Sequence, residues 1–95
     1  MVKEFPTPER WDGVVARLTE REREVVLLIG RFNLGYKAAA ARLQNKHRNE
    51  KQAISAHTVR RYAIGIRDAM ESSLPPWNAL HELYFVHQSS FDEAA

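Results

Sequence analysis

The stretch KHRNEKQAISAHTVRRY (46–62) carries five Lys or Arg and one acid in seventeen residues. Side chains of this type at this density suit the binding of a polyanion. Two other stretches invite a chemical reading, and neither sustains it. HELYFVH (81–87) places His81 and His87 six residues apart. That is about 240° around a helix, so the two cannot share one metal ion, whereas a zinc-binding HExxH helix needs histidines four apart. TEREREVV (19–26) is rich in charge, but as the solvent-facing side of a capped helix, not an acid–base pair. There is no glycine-rich phosphate loop and no nucleophile elbow. The sequence therefore predicts no catalytic residue, no metal and no cofactor, and the chain is not expected to be an enzyme.

The positive charge has a definite place. Residues 31–67 hold nine basic side chains (Arg31, Lys37, Arg42, Lys46, Arg48, Lys51, Arg60, Arg61 and Arg67) against Glu50 alone. Residues 1–30 hold five basic and six acidic groups, and residues 68–95 hold five acids with no Lys or Arg. The formal net charge of +2 hides this asymmetry. A basic block between acidic flanks implies one surface made for a polyanion, with a merely solvated face as the alternative.

Other classes are excluded by what is missing. The chain has no cysteine, so disulfide and thiolate chemistry are out. The longest aliphatic run, Val25 to Ile29, is far too short to span a membrane. MVKEFPTPER lacks the apolar stretch of a signal peptide. The expected location is cytoplasmic. With 95 residues, a single domain over 1–95 is expected.

The elements that must position the basic stretch read as helices. Thr7-Pro8-Glu9 is a helix opening, with Thr7 as N-cap, and predicts an N-terminal helix over 7–17 with Trp11, Val14, Val15 and Leu18 on one face. Thr19 and Glu22 form a capping box for the next helix. Val25, Leu28, Ile29 and Phe32 continue at helical spacing. NLG (33–35) ends that helix, with Gly35 expected in the left-handed conformation or turn. YKAAAARL then predicts a short helix with Tyr36, Ala39, Ala40 and Leu43 inward. Residues 44–53 read as a polar loop, with extra helical turns at either end as the alternative. Ser55 caps a helix over 56–71 whose inner stripe is Val59, Ala63, Ile66 and Met70. Gly65 sits inside it, at a cost of about 1 kcal/mol relative to Ala, which suggests close approach of another backbone. Pro75-Pro76 ends that region, and a C-terminal helix is expected over 76–88, with the last residues loose. The fold expected is all-α: a small bundle of about five helices containing a helix-turn-helix. Its core is Trp11, Val15, Leu18, Val25, Leu28, Ile29, Phe32, Leu43, Val59 and Ile66.

Three blocks, LTEREREVVLLI (18–29), KAAAARL (37–43) and ISAHTVRRYAIGI (54–66), resemble the LuxR-type (GerE-like) helix-turn-helix DNA-binding domain, over about residues 18–70. The resemblance implies sequence-specific transcriptional regulation on the nucleoid. It implies a scaffold helix beginning near Lys37 and a recognition helix, 56–71, in the major groove of double-stranded DNA. Thr58 and Val59 match the family's Thr-Val pair, Arg60 its DNA-contacting basic position, and Arg61 and Ile64 its base-facing positions. Tyr62 stands where the family has histidine. The chain departs from the pattern between Leu43 and Ile54, where ten residues replace about one, and at Ala38 and Ala39.

The residues support the same expectation without the family. Arg bonds guanine O6 and N7 in a fork, and an apolar side chain meets a thymine methyl. Arg60, Arg61, Ile64 and His57 are expected to contact bases, with burial as the alternative for Ile64. Lys37, Lys46, Arg48, Lys51, Thr58 and Arg67 are expected to contact the DNA backbone, with a plain polar linker as the alternative for Lys46, Arg48 and Lys51. Trp77, Leu80 and Tyr84 are expected either to form a homodimer interface or to pack within the chain. A second class of function also fits: a protein-interaction module, resembling region 4 of sigma factors, that docks on RNA polymerase or another regulator.

Overall fold

Two helices meet at Thr19, where one chain segment must stop and another begin. In this computed structural model, which describes residues 8–47 and 53–94, α1 spans Pro8–Arg17 and α2 spans Glu20–Val26. The capping box is present: the Glu22 amide donates to Thr19 Oγ1 at 3.1 Å, and the Thr19 amide donates to Glu22 Oε1 at 2.7 Å. Arg23 reaches back and donates from Nη2 to the Val15 carbonyl at 2.8 Å. The same carbonyl also accepts the Leu18 amide, at 3.3 Å, so the end of α1 is tied to the start of α2. The Thr7 cap expected from the sequence lies outside the described residues.

The structure departs from the sequence reading at the end of α2. The helix widens into a π turn over Leu27–Arg31, closed by the Phe32 amide donating to the Leu27 carbonyl at 3.2 Å. One residue more per turn displaces the succeeding side chains by roughly one residue's rotation, about 100°. Phe32, expected in the core, is consequently 50% exposed. Leu18 and Leu28, also expected there, are half-buried at the core's edge, and Val26 is fully buried. Gly30 sits in this turn, where a Cβ would collide with Cβ and Cγ of Tyr84. The left-handed residue is Asn33 (φ 56°). Gly35 is not left-handed as expected but extended, as the N-cap of the next helix (φ −77°, ψ 177°).

Helix α3, Tyr36–Lys46, buries Ala39, Ala40 and Leu43. It runs through Gln44–Lys46, a helical extension into the 44–53 segment of the kind the sequence allows there; the alanine-rich segment has helix propensity to spare. Helix α4, Ala56–Met70, buries Val59, Ala63, Ile66 and Met70, the stripe the sequence predicts. Its end is fixed by Glu71 in the left-handed conformation, with the Ser72 amide returning to the Arg67 carbonyl at 3.2 Å. At the same end, Trp11 Nε1 donates to the Met70 carbonyl at 3.3 Å. Helix α4 packs against α1, α2, α3 and α5, the helix that begins at Pro76, and α5 packs also against the π turn.

The C-terminal part also differs. The single helix expected over 76–88 is α5, Pro76–Val86, succeeded after His87 by a separate α6, Gln88–Ala94. As far as Asp92 this segment is packed onto the bundle. Phe91 is fully buried, its ring 6.1 Å from that of Tyr84 and 5.9 Å from the Arg23 guanidinium. Arg31 meets Asp92 at 3.5 Å, and Tyr84 donates to Asp92 at 2.8 Å. Leu80 and Tyr84, candidates for a dimer surface, are buried inside the chain. Trp77 is half-buried and donates from Nε1 to the Leu34 carbonyl at 2.9 Å. The apolar side of α5 is thus spent internally at Leu80 and Tyr84, which removes these two from the dimer reading.

His81 stacks on Trp77 at 4.0 Å between ring centroids, and burial pushes its pKa down. Among the described residues there is no strand, and no helix is long and apolar enough to cross a membrane. The six helices described form an all-α bundle.

Phe91 tests the seating of α6. Phe91→Ala is expected to cost about 3–5 kcal/mol, as for other buried aromatics, measured by urea unfolding of the full chain. A loss under about 1 kcal/mol would make α6 peripheral to the core.

Candidate nucleic-acid interface

Helix α4 owes its start to Ser55. Ser55 Oγ accepts the Thr58 amide at 3.2 Å and lies 3.1 Å from Thr58 Oγ1. The buried stripe of α4 leaves the opposite side free, and that side is where most of the predicted residues stand. His57, Arg61, Ile64 and Asp68, spaced by four, three and four, succeed one another along it. His57, Arg60 and Arg61 are exposed, and Ile64 is half-exposed. Arg60 stands near enough to Tyr36 for its charge to act on that phenol, whose pKa burial pushes up against it. Thr58 is half-buried on the flank that faces α2. Asp68 has no role in the sequence reading, yet it lies in line with Arg61 and Ile64. A carboxylate in that place suits a cytosine amino group.

The backbone-contact set is scattered. Lys37 is exposed on the first turn of α3. Arg67 is half-buried and turned toward its own helix end: Nε donates to Asp68 Oδ1 at 3.1 Å and Nη1 to the Leu74 carbonyl at 3.5 Å. Its guanidinium is therefore committed within the chain. Lys46 is helical and folds onto α2, its Nζ 2.6 Å from Glu24 Oε2. Arg48 and Lys51 lie outside the described residues.

The connection between α3 and α4 is tied at both ends. Gln44 Oε1 accepts the Ile54 amide at 2.5 Å, joining the last turn of α3 to the residue before the α4 cap. Ile54 is itself buried. On the α2 side, Glu24 Oε1 lies 3.0 Å from His47 Nε2. Burial pushes the Glu24 carboxyl up, but hydrogen bonds and charge from Lys46 and His47 outweigh it and hold the carboxyl below its ordinary range. The ten residues that separate the motif leucine and isoleucine thus leave and return at fixed points. Gln44 escapes a sequence reading because an amide in a polar run carries no local signal of a partner ten residues on.

Gly65 lies one turn beyond Arg61. Nothing in the described chain comes within 4 Å of where its Cβ would be, so the close approach expected there is not made by any described part of this molecule. With Glu22, Thr58, Arg61 and Tyr62 it lines a cleft of about 370 Å³ between α2 and α4.

No protein-family model matches the chain, and no curated protein or solved structure matches it either.

The surface stands on its own geometry. Its elements are an exposed helix face with two guanidiniums, a half-exposed apolar residue on the same face, and a basic connection anchored at its N-terminal end. A face so built suits a groove walled by phosphates. His81 and His87 stand apart from it, on α5 and the turn after it, with Nε2 of each buried and without a hydrogen-bond partner among the described residues.

Gln44→Ala removes the acceptor for a part-buried amide and is expected to cost about 1–3 kcal/mol, while Gln44→Glu, which keeps an acceptor oxygen, is expected to cost less. Urea unfolding of both variants checks this. Equal stability of wild type and Gln44→Ala would mean that the connection holds itself.

Proposed function

We propose that this chain is a sequence-specific DNA-binding transcriptional regulator, working on the nucleoid, with α4 as its recognition helix in the major groove. The observation that carries the reading is the face of α4: His57, Arg60, Arg61 and Ile64 lie off its fully buried stripe. Arg60 and Arg61 supply forked donors for guanine, and Ile64 supplies an apolar contact for a thymine methyl. Lys37 and Thr58 supply contacts to the DNA backbone, which set position rather than sequence. Arg48 and Lys51 belong to the same proposal, since the segment that holds them enters α4 at its N-terminal end, the end that lies closest to DNA in a helix-turn-helix. The resemblance of the three motif blocks to LuxR-type domains supports the same reading. No catalytic activity is part of it.

A homodimer on two half-sites about one turn apart belongs to this proposal, because one such helix covers few base pairs. Leu80 and Tyr84, buried within the chain, are not part of its contact surface.

One observation favours the second reading, a module that docks on RNA polymerase or another regulator. Phe85 is 77% exposed on the outer side of α5, with Val86 beside it. A cleft of about 470 Å³ also opens between α2, the π turn and α3, with Leu27, Leu28 and Phe32 among charged side chains that include Glu20, Arg23 and Arg42. Apolar surface of this kind is a docking feature when a partner is present.

Selection from a random duplex pool, then binding titrations on the selected sequence, separates the two. Arg60→Ala or Arg61→Ala is expected to cost about 1–3 kcal/mol and to relax preference at one or two positions. An equal loss on every sequence would make these residues phosphate contacts. Absence of any duplex binding at low salt would leave the docking module as the better reading.

A further inference from the structure

Gly65 lies on the exposed side of α4, and the proposed reading leaves it without a task. A glycine inside a helix weakens it relative to alanine, and here no atom of the described chain demands the missing side chain. The usual internal reason is seen elsewhere in the molecule, at Gly30, where Tyr84 fills the space. At Gly65 the space is open and lies on the surface.

Its neighbours say what would fill it. Gly65 is displaced from the ridge of His57, Arg61 and Ile64 toward the flank that faces α2. Thr58, two turns earlier, occupies the same flank. The ridge of a recognition helix faces base edges, and its flanks face the strands that border the groove. The cleft beside Gly65 is lined also by Thr58, a DNA-backbone contact in the proposed function, and by Arg61 at the edge of the ridge. Glu22 forms the far wall, and its Oε1 is held by the Thr19 amide at 2.7 Å.

We infer that Gly65 is a clearance position, where one deoxyribose-phosphate strand of bound duplex DNA comes into van der Waals contact with the backbone of α4 at residue 65, on the flank that Thr58 shares. The contact lets the helix sit deeper in the groove than a side chain at 65 would allow. The inference rests on the DNA reading of α4. Because a strand is touched and not a base, residue 65 governs affinity for all duplexes alike.

The test uses the full chain, Gly65→Ala and Gly65→Leu. Thermal melts are read beside affinities for the duplex selected from a random pool and for an unrelated duplex. Both variants are expected to melt no lower than wild type, since their side chains enter open space and favour the helix. Affinity is expected to fall about tenfold or more for Gly65→Ala and further for Gly65→Leu, by similar factors on both duplexes. Unchanged affinity in stable variants would overturn the inference while leaving the DNA reading intact. A loss confined to the selected duplex would place a base, not a strand, at residue 65 and overturn it too. If wild type binds neither duplex, the DNA reading falls and the inference falls with it.

Discussion

At residue 30 there is room for a hydrogen atom and nothing larger. Tyr84 occupies the space a Cβ would need, so the π turn after α2 and helix α5 meet backbone to side chain. Much of the remaining packing depends on that approach. It brings Leu80 and Leu83 into the core and lets Trp77 reach the Leu34 carbonyl, at 2.9 Å. It also sets α5 as a floor for α4, whose Ala63 and Ile66 are fully buried. A methyl group at position 30 would force α5 outward, and overpacking of this kind costs typically about 1–3 kcal/mol. The orientation of the α4 surface is thus fixed from the opposite side of the molecule.

Helix α4 is held at both ends as well as from beneath. Ser55 and the Gln44–Ile54 bond fix its start; Trp11 and the left-handed Glu71 fix its end. These constraints differ in weight. The Lys46–Glu24 pair is largely exposed on the lysine side, and exposed pairs contribute about 0–1 kcal/mol. The buried stripe of Val59, Ile66 and Met70 contributes several times that, since losing one such side chain costs about 2–5 kcal/mol. The core therefore decides where α4 lies, and the polar contacts decide how the chain enters it. A rigid helix with a free face is what the proposed groove contact requires, because positioning loses its value when the element that carries it can move.

Features decided locally are legible in the amino-acid order. The Thr19–Glu22 box, the Ser55 cap and the inner stripe of α4 need only neighbours within one or two turns, and the structure has all three. Features that depend on distant partners are not. Phe32 fits the helical period of Val25 and Ile29, but the π turn shifts it outward, and nothing in LLIGR announces a wider turn. Asn33, not Gly35, takes the left-handed conformation, although glycine is the usual choice there. Phe91 lies in a polar segment and is buried only because α6 folds back onto α2 and α5. Leu80 and Tyr84 look like surplus apolar surface until the π turn is seen to need them. On the α4 face, His57, Arg60 and Arg61 stand exposed as the helical wheel predicts, while Arg67 is drawn away by Asp68 and the Leu74 carbonyl.

The proposed function stands or falls on whether duplex DNA meets the exposed face of α4. Amide chemical-shift mapping of the uniformly labelled chain, titrated with the selected duplex, reads that contact residue by residue. The largest shifts are expected between Ile54 and Asp68, with a second group in the connection that precedes them, while α5 and α6 change little. Largest shifts around Phe85 and Val86, with α4 unmoved, would contradict the groove contact and put the interacting surface on α5.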